Sequence, residues 1–217
     1  MSGAIRGISL LLVFGAVVLM VVAYPFGAVF QTSFQAASGI GNVIIAFVLG
    51  LPGFSALFVV QRTFYALDDT RTPFFFTLFQ VVLFSILSFL CLLLPVQWIA
   101  VGVALATTVA GAAQLIVAVV LLQRKLGSLD GRRISVALGR SLLALVLPAA
   151  AGVFLLVLLG GTSDGGGYAV SSRIGAIMTM AIIAVVMSAL YFGGLWALRS
   201  PELRTVAEPL VARIRRR

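Results

Sequence analysis

The residues with chemistry to offer are few, and most are uncharged. Thr77, Gln80 and Ser88 fall on one helical face by their three-, eight- and eleven-residue separations. Thr107, Gly111 and Gln114 recur at i, i+4 and i+7. Hydroxyls and amides in such rows bond neighbouring helices, or line a polar cavity or cation path. The charged candidates gather in QRTFYALDDTRTP, where Asp68 and Asp69 lie close in sequence to Arg62 and Arg71, followed by Thr70, Thr72 and Pro73. Two carboxylates without further ligands make a poor metal site. Local ion pairing and a turn are expected there, with Phe64 and Tyr65 at headgroup level. The chain has no histidine, and its one cysteine, Cys91, sits in an apolar run and reads as packing. No nucleophile–base pair, metal set or Gly-rich phosphate loop emerges. Catalysis, a metal and a cofactor are therefore not expected.

These residues must be held by elements that composition identifies. Of 217 residues, 62% are hydrophobic and 10% charged, and mean hydropathy is +1.20. Soluble domains are nearer half apolar and a quarter charged. The pattern excludes a soluble enzyme, a disordered tail and a disulfide scaffold, and defines an all-α integral membrane protein. Continuous apolar runs without two-residue alternation argue against a β-barrel. A hydrocarbon core of about 30 Å needs about 20 helical residues. Charge-free windows then give six spans: Gly7–Tyr24, Ile40–Val60, Phe74–Leu94, Trp98–Leu122, Ser141–Leu159 and Ile174–Leu198. Pro25 should stop the first, and the polar stretch Phe26–Gly39 should connect it to the second outside the membrane. Thr72 is the expected N-cap of span three, with Pro73 at its first position. Gly160–Gly167 reads as a flexible turn. Gly50, Pro52 and Gly53 interrupt span two, and Pro148 lies in span five, so a kink is expected at each and a hinge is the functional reading of the first.

The net charge of +9 reads as topology. With six spans, fourteen Lys and Arg residues fall on one side and Arg173 alone on the other. The positive-inside rule puts both termini in the cytoplasm, and nucleic acid is not an expected partner. No Asp, Glu, Lys or Arg lies inside a predicted span, so no proton-coupling carboxylate is visible. Gly102, Ala106 and Ala110 form a small-residue stripe suited to close helix approach. In the tail, Leu203, Val206, Ala207, Leu210, Val211 and Ile214 share one face, as in an interfacial helix on an anionic leaflet. The chain divides into four spans over 1–123, a basic loop over 124–140, two spans over 141–198 and a basic tail over 199–217.

The segment LPGFSALFVVQRTFYALDDTRTP, Leu51–Pro73, resembles the junction between two late helices in the MurJ/MviN family of bacterial lipid II flippases. VGVALATTVAGAAQLIVAVVLLQRKLG, Val101–Gly127, resembles the family's next helix and its basic exit. YPFGAVFQTSF, Tyr24–Phe34, resembles a stretch after an earlier helix. The resemblance implies a MATE-like multidrug/oligosaccharidyl-lipid/polysaccharide flippase fold in the bacterial cytoplasmic membrane. It implies a role in peptidoglycan and cell-wall synthesis, moving the undecaprenyl-linked precursor outward by alternating access of two six-helix lobes. By that likeness the chain matches the last six of fourteen helices. The partners implied are membrane lipids, the undecaprenyl-linked precursor, and the preceding helices, in cis or from a separate chain. At the family's cation site this sequence has Phe84 and Ser88 on span three and Thr107 on span four. The alternatives are a non-transporting scaffold or regulator of cell-wall synthesis, and a flippase for another polyprenyl-linked sugar.

Overall fold

A computed structural model describes residues 2–31, 33–126, 131–162 and 167–197. Among these residues every regular element is helical. The order is α1 (Ser2–Val21), α2 (Ala23–Phe30), α3 (Phe34–Val48), α4 (Leu51–Ala66), α5 (Arg71–Leu90) with a 3-10 turn at Cys91–Leu93, α6 (Val96–Leu126), α7 (Gly131–Leu158), α8 (Tyr168–Ser171) and α9 (Arg173–Ala197). By length and composition, four helical stretches of the described residues can cross a membrane: Phe34–Ala66, Arg71–Leu93, Val96–Leu126 and Arg173–Leu195. A fifth is reached if the bent pair Leu12–Val21 and Ala23–Phe30 counts as one crossing. The expected span Ser141–Leu159 falls on α7, where Leu145–Leu158 is a shorter apolar helix. The tail helix expected around Leu203–Ile214 lies outside the described residues.

Pro25 does not end the first helix as expected. The chain bends by 63° between α1 and α2, and Pro25 occupies the first turn of α2, where a missing N–H costs no intrahelical bond. The helix then runs on to Phe30, and α3 begins at Phe34. The outside connection expected over Phe26–Gly39 shrinks to the few residues between them. Ser33 caps α3 by accepting from the Ala36 N–H at 3.4 Å. The Tyr24 hydroxyl donates to Asn42 Oδ1 at 3.1 Å and fastens α2 to α3. A Cβ on Gly27 would collide with the Ala37 carbonyl, so only glycine permits that approach.

The interruption at Gly50–Pro52–Gly53 is real and local. Gly50 N–H reaches back three residues to the Phe47 carbonyl at 3.0 Å, and Pro52 has no N–H to give Val48. The ladder therefore lapses for one turn inside a 33-residue apolar stretch. Pro148 lies within α7, which continues through it, and its side chain is fully buried. Pro95 separates α5 from α6 through an extended Leu94 (φ −80°, ψ 155°). At the end of α7, Gly160 takes φ +71°. Gly161 N–H bonds the Leu156 carbonyl at 2.8 Å and Gly160 N–H the Val157 carbonyl at 3.0 Å, a Schellman close.

Of three apolar clusters among the described residues, the two larger organise the bundle. One joins α1, α7 and α9 through Val13, Phe14, Leu145, Leu156, Ile183, Met187 and Tyr191. Phe14 and Tyr191 stack there with ring centroids 4.6 Å apart. The other joins α4, α5 and α6 through Leu57, Phe64, Phe76, Ala118 and Leu122. Helices α7 and α9 thus share a core with α1. The outer face of α5 stays uncovered, with Phe74, Phe75, Val82 and Phe89 exposed. Apolar side chains that would be excluded from water are at home against lipid.

Candidate functional site: the α5–α6 seam and the α3–α4 break

The polar rows read from sequence are brought together only in part. Gln114 on α6 is buried, 4% exposed, and its Nε2 donates to Thr77 Oγ1 on α5 at 3.2 Å. Gln80 makes no such bond across the seam, and Ser88 Oγ is buried without a partner among the described residues. The Thr107 hydroxyl turns back on its own helix and donates to the Val103 carbonyl at 3.0 Å. Cys91 packs as expected: a Cβ on Gly102 would lie 2.9 Å from its sulfur.

Sequence reading missed Thr108, the neighbour of Thr107. Its hydroxyl donates to the Ala46 carbonyl at 2.8 Å, across 62 residues. Ala46 is the carbonyl that Gly50 N–H would have satisfied in an unbroken helix. An acceptor left without a donor at membrane depth is destabilising, and α6 supplies its donor. Phe54 fills the space beside the break. A Cβ would meet its ring at 3.0 Å from Gly50 and at 2.5 Å from Gly111. The break called for a donor, which the sequence could have signalled, but only packing selects Thr108 over Thr107.

The connection between α4 and α5 is an ordered turn. Asp68 adopts φ 54°, the left-handed position usual for glycine. Asp69 N–H bonds the Phe64 carbonyl and Asp68 N–H the Tyr65 carbonyl, each at 3.1 Å, closing α4 in a Schellman motif. Asp69 then opens α5. Its Oδ1 accepts the Thr72 N–H at 3.0 Å and its Oδ2 the Thr72 hydroxyl at 2.7 Å. Thr72 is therefore the capped residue, not the N-cap: a carboxylate three residues earlier reaches the N–H more directly than a hydroxyl. Pro73 is buried in the first turn.

The expected ion pairs with Arg62 and Arg71 are also replaced. Asp69 pairs with Lys125 at the far end of α6, Nζ to Oδ2 2.6 Å. Arg62 instead lies over the Phe58 ring, 4.9 Å from its centroid. Arg71 lines a cleft with Thr70, Phe74 and Phe75. The hydrogen bond from Lys125, then those from the Thr72 N–H and hydroxyl, hold the Asp69 carboxyl well below its ordinary range. Among the described residues no group of three or more His, Cys, Asp or Glu could hold a metal ion.

A polytopic helical bundle, with neutral polar bonds between spans and an ion pair at their ends, belongs to the class of multi-pass membrane proteins. Residues 1–174 match the family model described as lipid II flippase MurJ, and the chain belongs to that family. A search of curated proteins finds no match. The fold is accordingly the MATE-like flippase architecture, and the family function is lipid II translocation in peptidoglycan biosynthesis. MurJ flippases are transporters, and they act on lipid II within the cytoplasmic membrane.

Proposed function

We propose that the α3–α4 break is the hinge of this flippase, and that α5 and α6 move beside it as one clasped hairpin. The observation that carries the reading is the lapsed ladder at Ala46–Gly50, bridged from α6 by Thr108. A helix with a missing backbone bond bends there more readily than elsewhere. A hydroxyl donor from another helix can release and remake its bond during the bend. The clasp is double: Gln114 to Thr77 at mid-seam and Lys125 to Asp69 at the end. In this reading residues 1–123 act as four helices of one lobe, 124–140 as a basic cytoplasmic loop, 141–198 as the two extra helices and 199–217 as a basic tail. Both termini face the cytoplasm, supported by the fourteen-to-one division of Lys and Arg. Thr77, Gln114 and Ser88 are candidates for a polar path along the seam, with Gln80 and Thr107 flanking it.

The test is lipid II translocation by the full protein in proteoliposomes. Pro52→Ala restores an N–H to the ladder and stiffens the break. Translocation should fall at least severalfold with unchanged incorporation. A wild-type rate in Pro52→Ala and in Thr108→Val would sink the hinge.

A further inference from the structure

We propose that the cleft lined by Thr70, Arg71, Phe74 and Phe75 seats the phosphate of an anionic glycerophospholipid. This inference rests on α5 being a span and is independent of the hinge. The cleft has a volume of about 500 Å³. Arg71 is the first residue of the span candidate Arg71–Leu93, which in this reading sets its guanidinium at the boundary between hydrocarbon and headgroups. Neither adjacent carboxylate holds it. Asp69 is occupied by Lys125 and Thr72, and Asp68 forms no ion pair among the described residues. Arg71 is thereby left to present its donors outward, beside the Thr70 hydroxyl.

The next turn supplies the apolar half. Phe74 and Phe75 are 63% and 64% exposed and meet edge to face at 5.6 Å, a surface for glycerol and the first acyl carbons. Charge selects the occupant. One guanidinium and one hydroxyl match a monoanionic phosphodiester, whereas a pyrophosphate would leave charge unmatched. The surrounding end of the bundle is also net positive, with Arg62, Arg71, Arg124 and Lys125 against Asp68 and Asp69.

Native mass spectrometry of the full chain in mild detergent tests this. Phosphatidylglycerol and phosphatidylcholine are titrated separately. Phosphatidylglycerol should be retained in preference. Arg71→Gln should lower its occupancy about fivefold, as loss of one basic residue near a membrane surface implies. Arg124→Gln, outside the cleft, should lower it less. Equal retention of the two lipids, or an Arg71→Gln variant that folds with wild-type thermal stability and keeps its phosphatidylglycerol, overturns the proposal. Displacement of phosphatidylglycerol by substoichiometric undecaprenyl pyrophosphate also overturns it, and would give the cleft to the transported lipid.

Discussion

Asp69 and Lys125 are 56 residues apart in the chain and 2.6 Å apart in space. The same carboxylate caps α5 through Thr72. One residue therefore closes a turn with its backbone N–H, and with its side chain starts a helix and ties that helix to the end of the next.

That arrangement sets a pH response. The folded carboxyl titrates well below its ordinary value of 3.8. Its stabilisation is fully present above that value and is lost as pH falls through the lowered one. Thermal unfolding of the detergent-solubilised protein should thus weaken below about pH 4. Asp69→Asn keeps a capping oxygen but no charge, and should flatten this acid response. Asp69→Ala should destabilise more than Lys125→Met, because it removes the cap as well as the pair. An acid response unchanged in Asp69→Asn would assign it to other carboxylates.

The Thr108 bond can be isolated by shape-conserving substitution. Thr108→Val replaces the hydroxyl with a methyl and leaves the Ala46 carbonyl without its donor. Hydrogen bonds between membrane helices average about 0.6 kcal/mol and reach about 1.7; a loss of about 1 kcal/mol is expected in reversible unfolding from mixed micelles. Thr108→Ser should recover most of it. Wild-type stability in the valine variant together with loss in the serine variant would show that packing of the methyl, not the bond, matters.

Phe54 and Gly111 should couple. Gly111→Ala places a methyl 2.5 Å from the Phe54 ring, and overpacking of this kind costs about 1–3 kcal/mol. Phe54→Leu alone should cost stability by loss of ring contacts. The double variant should be less destabilised than the sum, because the smaller side chain yields the space. Strict additivity in a double-mutant cycle would mean that the ring moves aside without strain.

How far these contacts could be read beforehand depends on range. The helical class, the Gly50–Pro52 break and the separation at Pro95 follow from local chemistry, since proline lacks an N–H and glycine lacks a Cβ. Leu51–Pro73 carried the family resemblance, and the match over residues 1–174 agrees with it. Pro25 is ambiguous in the sequence because a proline can end one helix or occupy the first turn of another. The polar rows are legible only as periodicity. Among the described residues only Gln114 and Thr77 join across the seam, because rotation of α5 against α6 decides which row faces it. Asp69 was expected to pair locally with Arg62 or Arg71. The return of α6 beside α5 brings Lys125 to it instead, and no spacing rule within the loop encodes that.

The core shared by α1, α7 and α9 bears on how this sequence can drift over generations. The family match ends at residue 174, just inside α9, yet Ile183, Met187 and Tyr191 of that helix fill space against Val13, Phe14 and Leu145. A Cβ on Gly152 would lie 2.5 Å from the Met187 sulfur. Residues beyond the shared region are thus bound by volume to residues within it. In related chains, an enlarged side chain at position 152 should come with a shortened one at position 187, and loss of the ring at position 191 with a change at position 14. Helix α9 is free to change its spelling, but only in step with α1.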